Sequence, residues 1–163
     1  MQHDKEFEFT RDDFDYLRKI VTDTTGILAD DDKYTMYYSR LARRVRKLGL
    51  KNFTEYRAFL NKNRDVEIIE LVNSVTTNLT SFFRENHHFE FLRDTIVPEI
   101  RKRGTKKIRV WSAGCSTGEE PYSIAITLAE AIPDYKSWDI KILATDLDSN
   151  VVQKASSGVY ELN

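Results

Sequence analysis

The chain is predicted to be α/β, with an all-α N-terminal domain over residues 1–80 and the opening βαβ of a parallel sheet over residues 81–163. Three observations carry this. The first hundred residues hold only two glycines (Gly26, Gly49) and one proline (Pro98), and their apolar residues recur at helical spacing. From Lys106 the pattern changes to short strand-like runs separated by a loop of small residues. The order there is strand, small-residue loop, helix, strand, acid, which is the order of a βαβ unit.

Each element has its own signal. Thr10 followed by Asp13 is an N-cap with an acidic first turn, ahead of Phe14, Leu17, Ile20 and Val21 on one face, and Gly26 stops the helix. Tyr34, Tyr37, Tyr38, Leu41, Val45 and Leu48 follow the i, i+3, i+4, i+7 rule, with Gly49 marking the end. Residues 53–60 and 66–75 read as two further helices. The latter has two candidate stripes: Val66, Ile69 and Val72, or Ile68, Leu71 and Val75. Residues 76–81 are rich in capping types and form a loop, from which Ser81 caps a long helix over residues 82–100. Residues 108–111 form a strand, 112–118 a loop, 119–132 a helix, and 138–145 a second strand ending in Asp146-Leu147-Asp148.

Composition narrows the classes. With 40% apolar and 31% charged residues, the chain has material for a core and no bias to disorder. The longest apolar run, at residues 124–129, is too short to span a membrane and is broken by Thr127. The acidic, polar N-terminus is no secretory signal, and one cysteine, Cys115, excludes an internal disulfide and fits a reducing cytoplasm. The net charge of −1 conceals a block. Residues 1–32 carry ten acids against four bases, whereas residues 33–51 carry seven bases and no acid. On a helical wheel Arg40, Arg43, Arg44, Lys47 and Lys51 lie mostly opposite the apolar face, a basic stripe suited to an acidic partner. A solvated helix face is the plain alternative. There is no recognition-helix pattern, so nucleic acid is not the expected partner.

The small residues of the 112–118 loop, Ser112 and Gly114 among them, let a ligand approach the backbone at the mouth of a strand. Ser116 and Thr117 each stand three residues before Glu119 and Glu120, so either pair can form a capping box. Two carboxylates at a helix start argue against a pyrophosphate and for a ligand with a cationic group. The loop has neither G-x-G-x-x-G nor Gly-Lys-Ser/Thr. Asp146 ends the second strand, where an acid can accept hydrogen bonds from both hydroxyls of a ribose. A capped helix and a surface turn are the plain alternatives for these two features. His87 and His88 show no metal-ligand spacing with Cys115 or the carboxylates; one ring is expected to pack and one to be wet. No metal is expected, and Cys115 is assigned no nucleophilic role.

Three segments resemble a known family: Thr76-Thr77-Asn78-Leu79-Thr80-Ser81-Phe82-Phe83-Arg84-Glu85, then Val110-Trp111-Ser112-Ala113-Gly114-Cys115-Ser116-Thr117-Gly118-Glu119-Glu120-Pro121-Tyr122-Ser123, then Ala144-Thr145-Asp146-Leu147-Asp148. They are closely similar to the CheR-type chemotaxis receptor methyltransferases, from about residue 7 to the end. The resemblance implies a Rossmann-like sheet and methyl transfer from S-adenosylmethionine (SAM) to glutamates of bacterial chemoreceptors, with S-adenosylhomocysteine as product. It implies that Asn78, Thr80, Arg84, Glu120 and Asp146 hold the cofactor, with Ser112 and Gly114 at the approach and Arg84 close to the reaction centre. It implies that Arg40, Arg43, Arg44, Arg46 and Lys47 face the receptor's acidic methylation helices.

The chain departs from the family at its end, because a sheet of this type has seven strands and only two are read here. Three completions are open: a fragment of a longer enzyme, strands exchanged with or dimerised onto another chain, or a non-catalytic receptor-binding module using helix 33–51. The fragment is favoured, and the chain alone is then expected to bind SAM weakly and transfer little.

Overall fold

The computed structural model describes residues 6–161. The N-terminal reading of no leader begins in residues 1–5, which lie outside the described residues. The chain divides into two compact units, Met1–Thr77 and Asn78–Asn163, so Asn78 and Thr80 fall with the second.

The first unit is helical: α1 (Arg11–Thr25), α2 (Tyr34–Lys47), α3 (Phe53–Lys62) and α4 (Arg64–Val75), with a 3-10 turn at Asp31–Lys33. The cap of α1 is a capping box. The Thr10 hydroxyl oxygen accepts from the Asp13 N–H at 3.1 Å, and the Asp13 carboxylate accepts from the Thr10 N–H at 3.0 Å. Gly49 lies at φ +69° just past α2, donating to the Arg46 carbonyl, while Leu50 donates to that of Val45, a Schellman pair only a left-handed residue can make cheaply. Phe14, Leu17, Val21, Tyr37, Leu41, Val45, Tyr56, Leu60 and Leu71 form the core. Of the two stripes on α4, Leu71 and Val75 go inward together with Val72, while Val66 and Ile69 are exposed.

Asp13 is buried and also takes the Arg57 guanidinium at 3.1 Å. Burial raises its carboxyl, but the Thr10 hydroxyl and N–H and the Arg57 charge outweigh that and hold it below the usual carboxylate range. Its stabilisation is therefore complete above the unfolded value of about 3.9 and is lost as pH falls through the lower folded value. Urea denaturation at a series of acid pH values should show wild type losing stability over this window more steeply than Asp13→Asn, the two curves converging at the acid end.

The second unit departs from expectation at its start. Residues 82–86 are turns, and helix begins only at α5 (His87–Phe91), because Phe83 and Glu85 both sit at φ +53°, which no right-handed helix accepts. The same helix then widens to a π-helical turn at Leu92–Ile96 before α6 (Val97–Lys102). Pro98 explains the widening: it has no N–H for the Asp94 carbonyl and its ring would crowd that group, and Val97 instead donates back to Leu92.

Strand β1 (Lys107–Ser112) pairs in parallel with β2 (Asp139–Ala144), from Lys107 opposite Asp139 to Ser112 opposite Ala144, with α7 (Glu119–Ala131) as the crossover. Ile108, Val110, Ile140 and Ile142 pack with Ile124, Leu128 and Ile132 on one side. The other side carries the directly opposed pair Trp111 and Leu143, 66% and 59% exposed, which is the uncovered face expected of so small a sheet. An unanticipated helix, α8 (Ser149–Ser157), follows, capped by Asp148, whose side chain accepts from the Asn150 N–H. Among the described residues, no helix is long and apolar enough to cross a membrane.

Candidate nucleoside site and basic helix face

The parallel register brings both strand ends to one mouth. There the Thr145 N–H donates to the Ser112 carbonyl at 3.0 Å and the Cys115 N–H to the Thr145 carbonyl at 2.9 Å, so the 112–118 loop and the 145–148 segment are stitched together. A closed ring of hydrogen bonds hangs on this seam. Asp146 Oδ2 accepts from the Ser116 N–H at 2.8 Å, and its Oδ1 from the Asp148 N–H at 3.0 Å. Asn78 Nδ2 donates to Asp148 Oδ2 at 2.6 Å, and the Ser116 hydroxyl closes the ring on the Asn78 carbonyl at 2.8 Å. Asp146 and Asn78 are thereby held in one constellation. Each Asp146 oxygen has one fixed donor and remaining lone-pair capacity, which fits a vicinal diol.

Glu120 is exposed on the first turn of α7, and its Oε1 accepts from the Ser112 hydroxyl at 2.6 Å. Neither expected capping box forms. Gly118 is the N-cap without a side-chain bond, the Thr117 hydroxyl goes to Glu119 Oε2 at 2.6 Å, and Ser116 is spent on Asn78. The physical reason is Ser116 at φ +47°, a turn that points its hydroxyl away from the helix start. The two loop glycines differ. At Gly114 nothing beyond the two chain neighbours lies within 4 Å of where a Cβ would stand, so that side is open to a ligand. At Gly118, φ is +104° and a Cβ would meet Ala155 Cβ at 2.9 Å, so this glycine serves packing.

Arg84 is exposed and donates from Nη1 to the Leu79 carbonyl at 2.8 Å, closing the 79–84 turn; no hydrogen bond joins it to Glu120 or Asp146 among the described residues. Thr80 is half-buried in that turn. His87 and His88 are both exposed, contrary to the expectation of one packed ring, because the helix starts late and both rings project from its first turn. Cys115 is buried, and burial first, then the charges of Asp146 and Glu120, push its thiol up. A protonated, enclosed thiol is no nucleophile.

The sequence offers Ser116 only as a helix-cap candidate and Asp148 only as the end of the second strand, not as members of this ring. Asp148-Ser149-Asn150 is a helix-cap signal that could have found Asp148; nothing local marks the left-handed Ser116.

On α2 the five candidate receptor cations are not equivalent. Arg40 donates to the carbonyls of Val75 at 2.8 Å and Thr76 at 2.5 Å, and to Thr77 Oγ1 at 3.1 Å, capping the end of α4. Arg44 forks onto Glu67, at 2.9 and 2.5 Å, and reaches Glu70 at 2.9 Å. Its side chain is 11% exposed and that of Glu67 2%. Arg46 pairs with Glu6 at the surface. Arg43 and Lys47 are exposed and make no ion pair among the described residues. Arg40, Arg43, Arg44 and Lys47 nonetheless line one groove of about 310 Å³ with Glu70, Ser74 and Thr76.

The chain thus runs from an all-helical unit into a parallel βαβ unit. Residues 12–76 match the family described as "CheR methyltransferase, all-alpha domain", and residues 78–163 match "CheR methyltransferase, SAM binding domain". The chain belongs to the CheR methyltransferase family. It is 44% identical over 158 residues to "Chemotaxis protein methyltransferase 2" of Pseudomonas aeruginosa, covering 97% of this chain and 55% of that protein. It is 45% identical over 152 residues to "Chemotaxis protein methyltransferase" of Salmonella typhimurium (92% and 50%) and 44% identical over 149 residues to that of Escherichia coli (90% and 50%). The chain thus spans about half the length of the curated relatives it matches.

Proposed function

We propose that this chain is the receptor-docking and cofactor-binding part of a cytoplasmic protein-glutamate O-methyltransferase acting on chemoreceptors. The observation that carries it is the ring joining Asn78, Asp148, Asp146 and Ser116 at the strand mouth, beside Glu120. Asp146 accepts the two ribose hydroxyls, a role its remaining lone pairs suit, and Asn78 holds the loop that positions it. Glu120, fixed by Ser112, complements the cationic end of the cofactor, and Arg84 its carboxylate.

SAM supplies the activated methyl: its carbon–sulfur bond breaks as a receptor carboxylate oxygen bonds the carbon, leaving a methyl ester and S-adenosylhomocysteine. No side chain need act as nucleophile, which agrees with the protonated Cys115. The protein's task is alignment and exclusion of water from the attacking oxygen. Arg43 and Lys47 give the receptor's acidic helices a basic surface to meet.

The test is transfer of labelled methyl from SAM to a receptor cytoplasmic fragment, by this chain and by the protein extended to the length of its relatives. Transfer by the extended protein, with little by this chain alone, is expected. Receptor binding by both without any SAM binding would replace the enzyme reading with a docking module.

A further inference from the structure

Against the expectation of no metal-ligand spacing between the two histidines and the carboxylates, the turn that opens α5 groups three ligand-type side chains, none of them used by the methyl-transfer reading. The donor atoms of Glu85, His87 and His88 all lie within 4.8 Å of one another. The left-handed Glu85, at φ +53°, makes this grouping: it reverses the chain so that its carbonyl accepts from the His88 N–H at 3.0 Å while its carboxylate turns toward the two rings. The imidazoles are packed edge to face, with centroids 4.1 Å apart. All three side chains are exposed, and none makes a hydrogen bond or ion pair among the described residues.

We infer that Glu85, His87 and His88 form a binding site for a zinc-class divalent cation. Two imidazole nitrogens and one carboxylate suit borderline ions such as zinc rather than magnesium or calcium, which take oxygen ligands. Zinc with bonds of about 2.0–2.2 Å and tetrahedral angles needs donors roughly 3.3–3.5 Å apart. All three side chains are exposed and can rotate toward that spacing. Three protein ligands leave the fourth position to water, so the site binds zinc reversibly rather than as part of the fold.

The test is calorimetric titration of zinc into the chain, made without a histidine tag and carrying His3→Ala, which removes the sequence's remaining histidine. One zinc per chain is expected. Changing outer partners of metal ligands already costs about 10–100-fold in affinity, so loss of a ligand should cost at least about tenfold. His87→Ala with His88→Ala should then abolish the heat, and Glu85→Gln should weaken binding by at least that factor. The pair His87→Gln and His88→Gln repeats the loss with side chains of similar reach, and far-UV circular dichroism confirms the fold of each variant. Equal zinc affinity with and without the two histidines, or no stoichiometric binding to the parent chain, overturns the site.

Discussion

Reversing the charge at Arg44 should unfold the N-terminal helical unit, whereas the same change one residue earlier, at Arg43, should leave its stability intact. Arg44 reaches from α2 to two carboxylates of α4, and Glu67, its closer partner, is almost fully enclosed. The Glu67 fork raises the Arg44 guanidinium against the cost of its burial, and burial, then the Glu67 charge, push the neighbouring Tyr56 phenol up so that it stays neutral. Removing one member of a buried pair costs about 3–5 kcal/mol because the other is left charged and unpaired. Arg44→Glu goes further and sets three carboxylates together. Against the ~5–15 kcal/mol that holds a typical domain together, that is a large share. Thermal denaturation should show loss or a steep lowering of the cooperative transition for Arg44→Glu. For exposed Arg43→Glu the change should stay within about 0.5 kcal/mol. Receptor association should separate the two in the other direction: Arg43→Glu with Lys47→Glu should lose affinity while remaining folded. Equal melting of the Arg43 and Arg44 variants would show that the buried fork does not hold the helices.

That contrast shows where the sequence is legible and where it is not. Helical period found α2 and its ends, since Tyr37, Leu41 and Val45 are buried and Gly49 is left-handed. It also placed Arg40, Arg43 and Arg44 off the core face. It could not tell an arginine facing solvent from one facing a carboxylate on another helix, because Glu67 is 23 residues away and its partner is set by packing alone. The same limit applies to Arg40, whose partners are the last carbonyls of α4. Backbone reversals at residues other than glycine are the second blind spot. Phe83, Glu85 and Ser116 carry no local mark of a positive φ, so the sequence pattern starts the helix five residues early and leaves a capping box open at α7, where none forms. The position of Asp146 at the strand mouth is legible because the strand before it is apolar and ends abruptly. The residue's link to Asn78, through Asp148, is not, since 70 residues separate the two partners of that hydrogen bond.

Asp146 is where the largest effect on cofactor affinity should fall. Its two oxygens are already oriented by the Ser116 and Asp148 N–H groups, so little freedom is lost when further donors arrive. Hydrogen bonds to a charged group are worth about 1.5–3 kcal/mol each. Two ribose hydroxyls then imply at least about a hundredfold loss of SAM affinity for Asp146→Ala, at 1.4 kcal/mol per tenfold. Equilibrium dialysis with labelled cofactor, on the protein extended to the length of its relatives, reads this directly. Asp146→Ala also strips two backbone donors of their acceptor, so lost affinity alone could reflect a loosened loop. Gly114→Val separates the two causes. Beyond its two chain neighbours nothing stands within 4 Å of its Cβ position, and its backbone is not left-handed, so the added side chain extends into the open mouth. If a nucleoside lies there, Gly114→Val should weaken SAM binding at least about tenfold, a loss of ~1.4 kcal/mol, without lowering the melting temperature. If affinity survives at Gly114 and falls at Asp146 only together with stability, the carboxylate holds the loop and the cofactor lies elsewhere.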